Sequence, residues 1–335
     1  MKKLAFVLIF LTVALGIAAW WLRRESRPVT LRAPVLVDIA PGTGATAIAG
    51  RLVSAGVLRS RWPFLAWHFL RPTRQILQAG EYQFSGQISP FQVYGKLVRG
   101  DIHYYALTIP EGYNIYDAAG AVGRSGLASA DAFLEAARDS TPVADLAPGA
   151  ATLEGFLFPD TYRFPRHVTA RQIAQTMVAR FRRVYAQLSL LHGQRAGRVI
   201  EMVTLASLVE KETGKPGERA LVAGVYQNRL DSGLLLQCDP TVIYAAILGG
   251  QYRGTIYQSD LKRDHPYNTY VRLGLPPGPV ASPGRAALEA ALSPALTDYL
   301  YFVSDTEGGH VFSRTLAEHN RRVGGYRQKM RRQSG

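Results

Sequence analysis

Residues 4–22 read LAFVLIFLTVALGIAAWWL, 19 positions in a row without a charge. No other feature constrains the chain so tightly, because a helix of about 20 apolar residues matches the hydrocarbon thickness of a bilayer. Lys2 and Lys3 precede the run, Trp20 and Trp21 close it, and Arg23 and Arg24 follow. Aromatic rings favour the membrane interface, which suits that order. A cleaved export signal is the competing reading, but its apolar stretch is ordinarily about 7–15 residues long with small residues after it. The greater length here, and Trp-Trp-Leu-Arg-Arg after Ala18 and Ala19, favour a retained anchor over residues 1–24. Basic residues flank both ends, Arg27 included, so charge asymmetry alone does not orient the helix. Nothing later in the chain could bring it back across, so we expect a short cytoplasmic N-terminus and export of everything beyond.

The 335 residues suffice for one large domain or two modest ones. A net charge of +14 favours acidic partners, or else reflects a solvated arginine-rich surface. A nucleic-acid role has no motif to support it and fits poorly with an exported domain. The single cysteine, Cys238, excludes an intramolecular disulfide framework. The chain has no CxxC, HExxH or clustered histidines, and we expect neither a bound metal nor a cofactor.

Beyond the anchor, residues 25–33 read as a linker. Val35–Ile39 alternates like a strand, Ala45–Ala55 and Trp62–Leu70 have helical spacing, 80-GEYQF-84 is a short strand, and Ile88–Val98 returns to helix before Gly100. Residues 25–103 thus form a small unit. A larger one, 104–335, opens with a strand, a Pro-Glu-Gly turn and a helix in 104-YYALTIPEGYNIYDAA-119. Helices are expected over Ala170–Leu188, Arg198–Thr213, Glu218–Leu230 and around Arg285–Leu292, with a strand over Tyr299–Val303. The basic end, RRVGGYRQKMRRQSG, reads as a frayed, solvated tail. The fold class is α+β: a transmembrane helix, a small module and a larger mixed module.

One stretch of the larger unit carries chemistry: 207-SLVEKETGKPGER-219. On a helix each residue advances about 100°, so positions three, four and seven apart share a face. Glu212 follows Val209, Leu208 and Leu205 at those spacings and lies in the apolar stripe, whereas Glu210 follows Ser207, Ala206 and Val203 on a smaller, more polar side. Carboxylates two apart diverge and cannot serve one site. Glu212 ends the helix before Gly214 and Pro216, where desolvation and the negative end of the helix dipole both disfavour its anion. Such a carboxyl can stay protonated near neutrality and act as a general acid. The same position would also suit a buried brace to Arg219 or Arg229, and spacing alone does not separate the two.

Several longer segments resemble one family in order and content. They are 108-TIPEGYNIYDAA-119, 154-EGFLFPDTYRF-164, 205-LASLVEKETG-214, 224-GVYQNRL-230, 235-LLQCDPTVIYA-245, 267-YNTYVRLGLPPGPVASPG-284 and 299-YLYFVSDTEGGHVFS-313. Together they resemble the endolytic murein transglycosylases of the YceG-like family, over nearly the whole chain. The resemblance implies that Glu212 is the lone catalytic glutamate, and that a LysM-like module precedes the catalytic one. It implies a single-pass protein of the bacterial inner membrane with its catalytic domain on the periplasmic side. It also implies endolytic cleavage of nascent peptidoglycan between N-acetylmuramic acid and N-acetylglucosamine. The product would carry a 1,6-anhydro muramyl end, strand elongation would stop, and cell-wall synthases would be the expected neighbours. Cys238 departs from the family, which usually has threonine there.

Other residues fit a sugar site less specifically. Gln237, Asp239, Thr241 and Tyr244 lie in a polar loop entering a helix, where Asp239 or Thr241 would cap. Tyr267, Asn268, Thr269 and Tyr270 offer flat faces and hydrogen-bonding groups in a Pro/Gly-rich loop suited to a cleft wall or to covering the core. His310 could orient substrate, yet a lone histidine is more often structural. Two functions compete with the lyase: a non-catalytic glycan-binding scaffold, and a hydrolytic muramidase pairing Glu212 with Asp239 or Glu210.

Overall fold

The computed structural model describes residues 2–70, 75–192 and 199–333 and divides them into two compact units. Residues 1–105 and 163–167 make the first, and 106–162 with 168–335 make the second.

The first unit begins with α1 (Lys2–Glu25) and continues through β1 (Val29–Ile39), α2 (Ala45–Ser54), α3 (Trp62–Leu70), β2 (Gly80–Ile88) and α4 (Pro90–Arg99). Within α1, Phe6–Glu25 is long and apolar enough to cross a membrane, and none of the window that qualifies it is buried. The linker expected at 25–33 is shorter than that. β1 starts at Val29 and pairs antiparallel with β2, Val29 opposite Ile88 and Ile39 opposite Gly80, with a register shift between Leu31 and Val35. Pro34 falls inside this shift. Proline cannot donate to a ladder, so the strand bulges around it and resumes. After the bulge, Val37 and Ile39 point inward with Leu52, Phe64, Tyr82, Phe84, Val93 and Leu97. Ser89 and Gln92 cap α4 reciprocally, and Gly100 ends it at φ 68°, a left-handed conformation that glycine takes without steric cost.

The second unit has most of β3 (Tyr105–Ile109) and of β4 (Asp160–Phe164), together with α5 (Ile115–Ser125), α6 (Ala130–Arg138), α7 (Ala170–His192), α8 (Val199–Glu212) and α9 (Arg219–Asp231). There follow α10 (Asp239–Leu248), α11 (Gln258–Leu261), α12 (Arg285–Leu292), β5 (Tyr301–Ser304), β6 (His310–Ser313) and α13 (Leu316–Gln333). β3 and β4 form one two-stranded sheet and β5 and β6 another. Mixed α- and β-structure is as the sequence implies, but the basic end is a helix to Gln333, not a frayed tail. Arg198, the expected first residue of α8, lies outside the described residues.

The centre of the unit is α8, which packs on α12, α9 and α10. Every residue from Met202 to Val209 is buried. A helix apolar all round belongs in a core, and this one carries two glutamates in its last turn. At Gly224 of α9 an added Cβ would collide with the Ala295 carbonyl oxygen, so glycine is what lets the chain approach there.

Candidate active site

α8 being buried on all sides, the distinction between an apolar and a polar face does not hold. Glu210 is buried too, its side chain 6% exposed. The two carboxyls differ in their partners. Glu210 accepts from the Gly284 backbone N–H at 2.9 Å through Oε2, and its Oε1 lies 3.5 Å from Arg219 Nη2. The buried arginine brace therefore exists, but at Glu210 and not at Glu212.

Glu212 meets two uncharged donors. The Tyr226 hydroxyl of α9 donates to Oε1 at 2.8 Å, and the Cys238 thiol before α10 donates to the same oxygen at 3.2 Å. Burial pushes the Glu212 carboxyl above its ordinary range. The Cys238 and Tyr226 bonds oppose that shift, and the negative Asp239 nearby adds to it. Burial also pushes up both the Tyr226 phenol and the Cys238 thiol, which keeps them protonated as donors. With two donors on Oε1, that oxygen is the acceptor end of the carboxyl, and the proton belongs on Oε2.

Beside Glu212 lies a groove of about 390 Å³, a volume suited to small sugars. Its lining is mostly polar and aromatic: Tyr226, Arg229, Gln237, Asp239, Tyr270 and Tyr301, with Phe302, His319 and Asn320, and with Leu236 and Leu316 as its aliphatic members. Tyr226 is held by the Phe302 ring of β5, edge-on at 5.9 Å, and Tyr301 stacks on His319 of α13 at 5.2 Å. Arg229 donates to Gln237 Oε1 at 2.8 Å with its guanidinium over the Tyr301 ring. Gln237 sits at φ 52°, an uncommon backbone for a side-chain-bearing residue. Its N–H, bonded to the Thr269 carbonyl at 3.1 Å, helps hold it there. Strain of this sort concentrates at working sites.

Of the eight further residues singled out from the sequence, Gln237, Asp239 and Tyr270 line this groove. Asp239 is not a helix cap, since Cys238 holds the cap position with no side-chain bond, and Asp239 Oδ1 instead accepts from the Tyr270 hydroxyl at 2.5 Å. Thr241 does not cap either: its hydroxyl donates to the Cys238 carbonyl and meets Thr269 at 2.9 Å. Thr241, Asn268 and Thr269 are buried behind the wall, and Asn268 Nδ2 lies within hydrogen-bonding distance of the carbonyls of Asp260 and Leu261 in α11 and of Arg263 after it. Tyr244 and Tyr267 pack together elsewhere, Tyr244 donating to Glu154 Oε2 at 2.9 Å. None of these five lines the groove. His310 braces Glu218, Nδ1 at 2.8 Å and backbone N at 3.0 Å from its carboxylate oxygens.

Tyr226, Arg229, Tyr301, Phe302 and His319 were missed as site residues. Tyr226, Tyr301 and Phe302 stand inside motifs that single them out for no role, Arg229 reads from the sequence only as a brace to Glu212, and His319 belongs to the last helix, which the basic end alone does not reveal. No group of three or more His, Cys, Asp or Glu among the described residues could hold a metal.

The chain is similar to known proteins over most of its length. The model of the YceG-like family matches residues 37–324. An endolytic murein transglycosylase of Bacillus subtilis strain 168 is 32% identical over 303 residues, covering 86% of this chain and 83% of that protein. A protein of the same name from Streptococcus pneumoniae strain R6 is 31% identical, covering 86% of this chain but 58% of its own greater length. The crystal structure of a YceG-like protein from Listeria monocytogenes superposes with a TM-score of 0.59 at 31% identity, over 87% of this chain and 99% of that one.

Proposed function

The chain belongs to the YceG-like family, and from that premise we propose that it is a membrane-anchored lytic transglycosylase that cuts peptidoglycan strands internally. One observation carries the reading: a single desolvated carboxyl, Glu212, opens on a groove with both of its protein donors on one oxygen. In the proposed reaction Glu212 Oε2–H protonates the oxygen linking N-acetylmuramic acid to N-acetylglucosamine. The C1–O bond breaks as the muramyl C6 hydroxyl attacks C1. Glu212, now an anion, takes the C6 hydroxyl proton and returns to its starting state. The nucleophile is tethered to the substrate, so no second carboxylate is needed. Tyr226 and the Cys238 thiol hold the glutamate through the anionic stage, when bonds to Oε1 strengthen. Gln237, Asp239 and Tyr270 offer contacts for sugar hydroxyls and acetamides, and Tyr301 and Phe302 offer flat faces.

The wider reading is of α1 as a single-pass anchor with both units exported, the first a LysM-like module that holds glycan, and the product strand no longer extendable. The exposed apolar stretch of α1 supports the anchor, and the names of the relatives support action within murein strands. Mass analysis of glycans after incubation with peptidoglycan tests the chemistry. Anhydro ends from the wild type and none from Glu212→Gln are the expected result. Reducing ends would replace it with a muramidase that uses Asp239, and an uncut polymer with a binding scaffold.

A further inference from the structure

We propose that α3 is a membrane-interface helix, seated in the outer leaflet against anionic phospholipid, so that the first unit rests on the bilayer. This inference rests on the reading of α1 as an anchor. The sequence of α3, WPFLAWHFL, has one non-apolar residue in nine, His68, and that ring meets the Tyr94 hydroxyl at 3.3 Å. A helix apolar all round is ordinarily buried on all sides. Here only one side is, where Phe64 enters the core of the unit. On the other, Trp62 is 51% exposed and Leu70 81%.

What lies beside that exposed side decides the occupant. An apolar groove of about 830 Å³ runs between α3 and α1, lined on the α1 side by Leu15, Ala18, Ala19, Trp21 and Leu22. Those residues belong to the stretch that would span the membrane, and from Leu15 to Leu22 an α-helix rises about 10 Å. A helix packed beside that segment stands at the level of the outer acyl chains and headgroups, which is the depth taken up by interfacial helices. The charges agree. Arg61 lies over the Trp62 ring at 5.1 Å and Arg24 over Trp20 at 5.8 Å, guanidiniums beside indoles at the level of the phosphates. Acyl chains fill the groove, and the arginines meet anionic headgroups.

The test uses the full chain in vesicles of phosphatidylethanolamine and phosphatidylglycerol. Cys238 is replaced by alanine, and one fluorophore-labelled cysteine is placed at Leu70 (in α3), Val13 (in α1) or Gln87 (an exposed residue of β2). The expected result is that Leu70→Cys loses iodide quenching and gains quenching from lipid-borne nitroxide, as Val13→Cys does, while Gln87→Cys stays open to iodide. Adding Trp62→Glu should return the Leu70 label toward water. If Leu70→Cys behaves as Gln87→Cys while Val13→Cys stays lipid-shielded, the interface helix is overturned and the anchor survives. Should Val13→Cys also be open to iodide, both fall. Protection of Leu70 that disappears as protein is diluted into excess lipid would mark a second copy in the groove and overturn the lipid assignment.

Discussion

Glu212 and Glu154 make an instructive pair. Each is a carboxyl of the second unit, each is pushed upward by burial, and each accepts a hydrogen bond from a tyrosine hydroxyl, Tyr226 in one case and Tyr244 in the other. For Glu154 the shift reaches about 7. Yet Glu154 is 3% exposed, with Oε2 taken by Tyr244 and the Ile115 N–H, and its buried Oε1 has no hydrogen-bond partner among the described residues. Glu212 opens on a groove. A carboxyl proton held more tightly than usual is common to both sites; only one site can hand it to a substrate. Perturbed acidity marks a candidate, and access selects among candidates.

The largest test of that contrast is to neutralise each carboxyl in turn. Glu212→Gln should lower strand cleavage by about 10²–10⁴-fold, the usual contribution of a general acid, with little change in melting temperature. Glu154→Gln should act on stability instead. The folded state holds the Glu154 proton up to about pH 7, whereas the unfolded chain releases it near 4.5. Its contribution is therefore complete below pH 4.5 and is lost as pH rises toward 7. The loss is of order 3 kcal/mol by proton linkage. Denaturant titrations across that window should show the slope in the wild type and a flatter curve in Glu154→Gln; equal slopes would refute the assignment.

The tyrosines should separate on a smaller scale. Tyr226→Phe removes a donor that holds the Glu212 anion, so the alkaline limb of kcat/KM should move to higher pH, with a loss of about tenfold, or about 1.4 kcal/mol. Tyr244→Phe should leave that limb in place and cost about 1 kcal/mol of stability. Least of all, Cys238→Ala should move the limb the same way as Tyr226→Phe but by less, since a thiol at 3.2 Å is a weaker donor than a hydroxyl at 2.8 Å.

Local signals were legible where one rule decided the outcome. The bounds of α3 and α12 and the end of α8 before Gly214 and Pro216 follow from periodicity and breakers. What escaped depended on contacts between distant segments. Alternation marks only Val35–Ile39 as strand, and only pairing with β2 shows that β1 starts at Val29 and runs through Pro34 as a bulge. α6 gave no signal strong enough to stand out between its neighbours. The last helix is too basic to suggest docking, although Leu316 and His319 line the groove. At the site, spacing singled out Glu212 as the residue in apolar surroundings, but α12 and the Gly284 N–H also bury Glu210. The sequence contains no hint that Arg219 would choose one glutamate over the other.

Between Glu25, where α1 ends, and Val29, where β1 begins, there are three residues. Fully stretched, they reach about 10 Å. With α1 in a lipid bilayer, that is a leash with almost no slack. On that reading the first unit stays close to the bilayer surface, and any polymer it binds must come equally close.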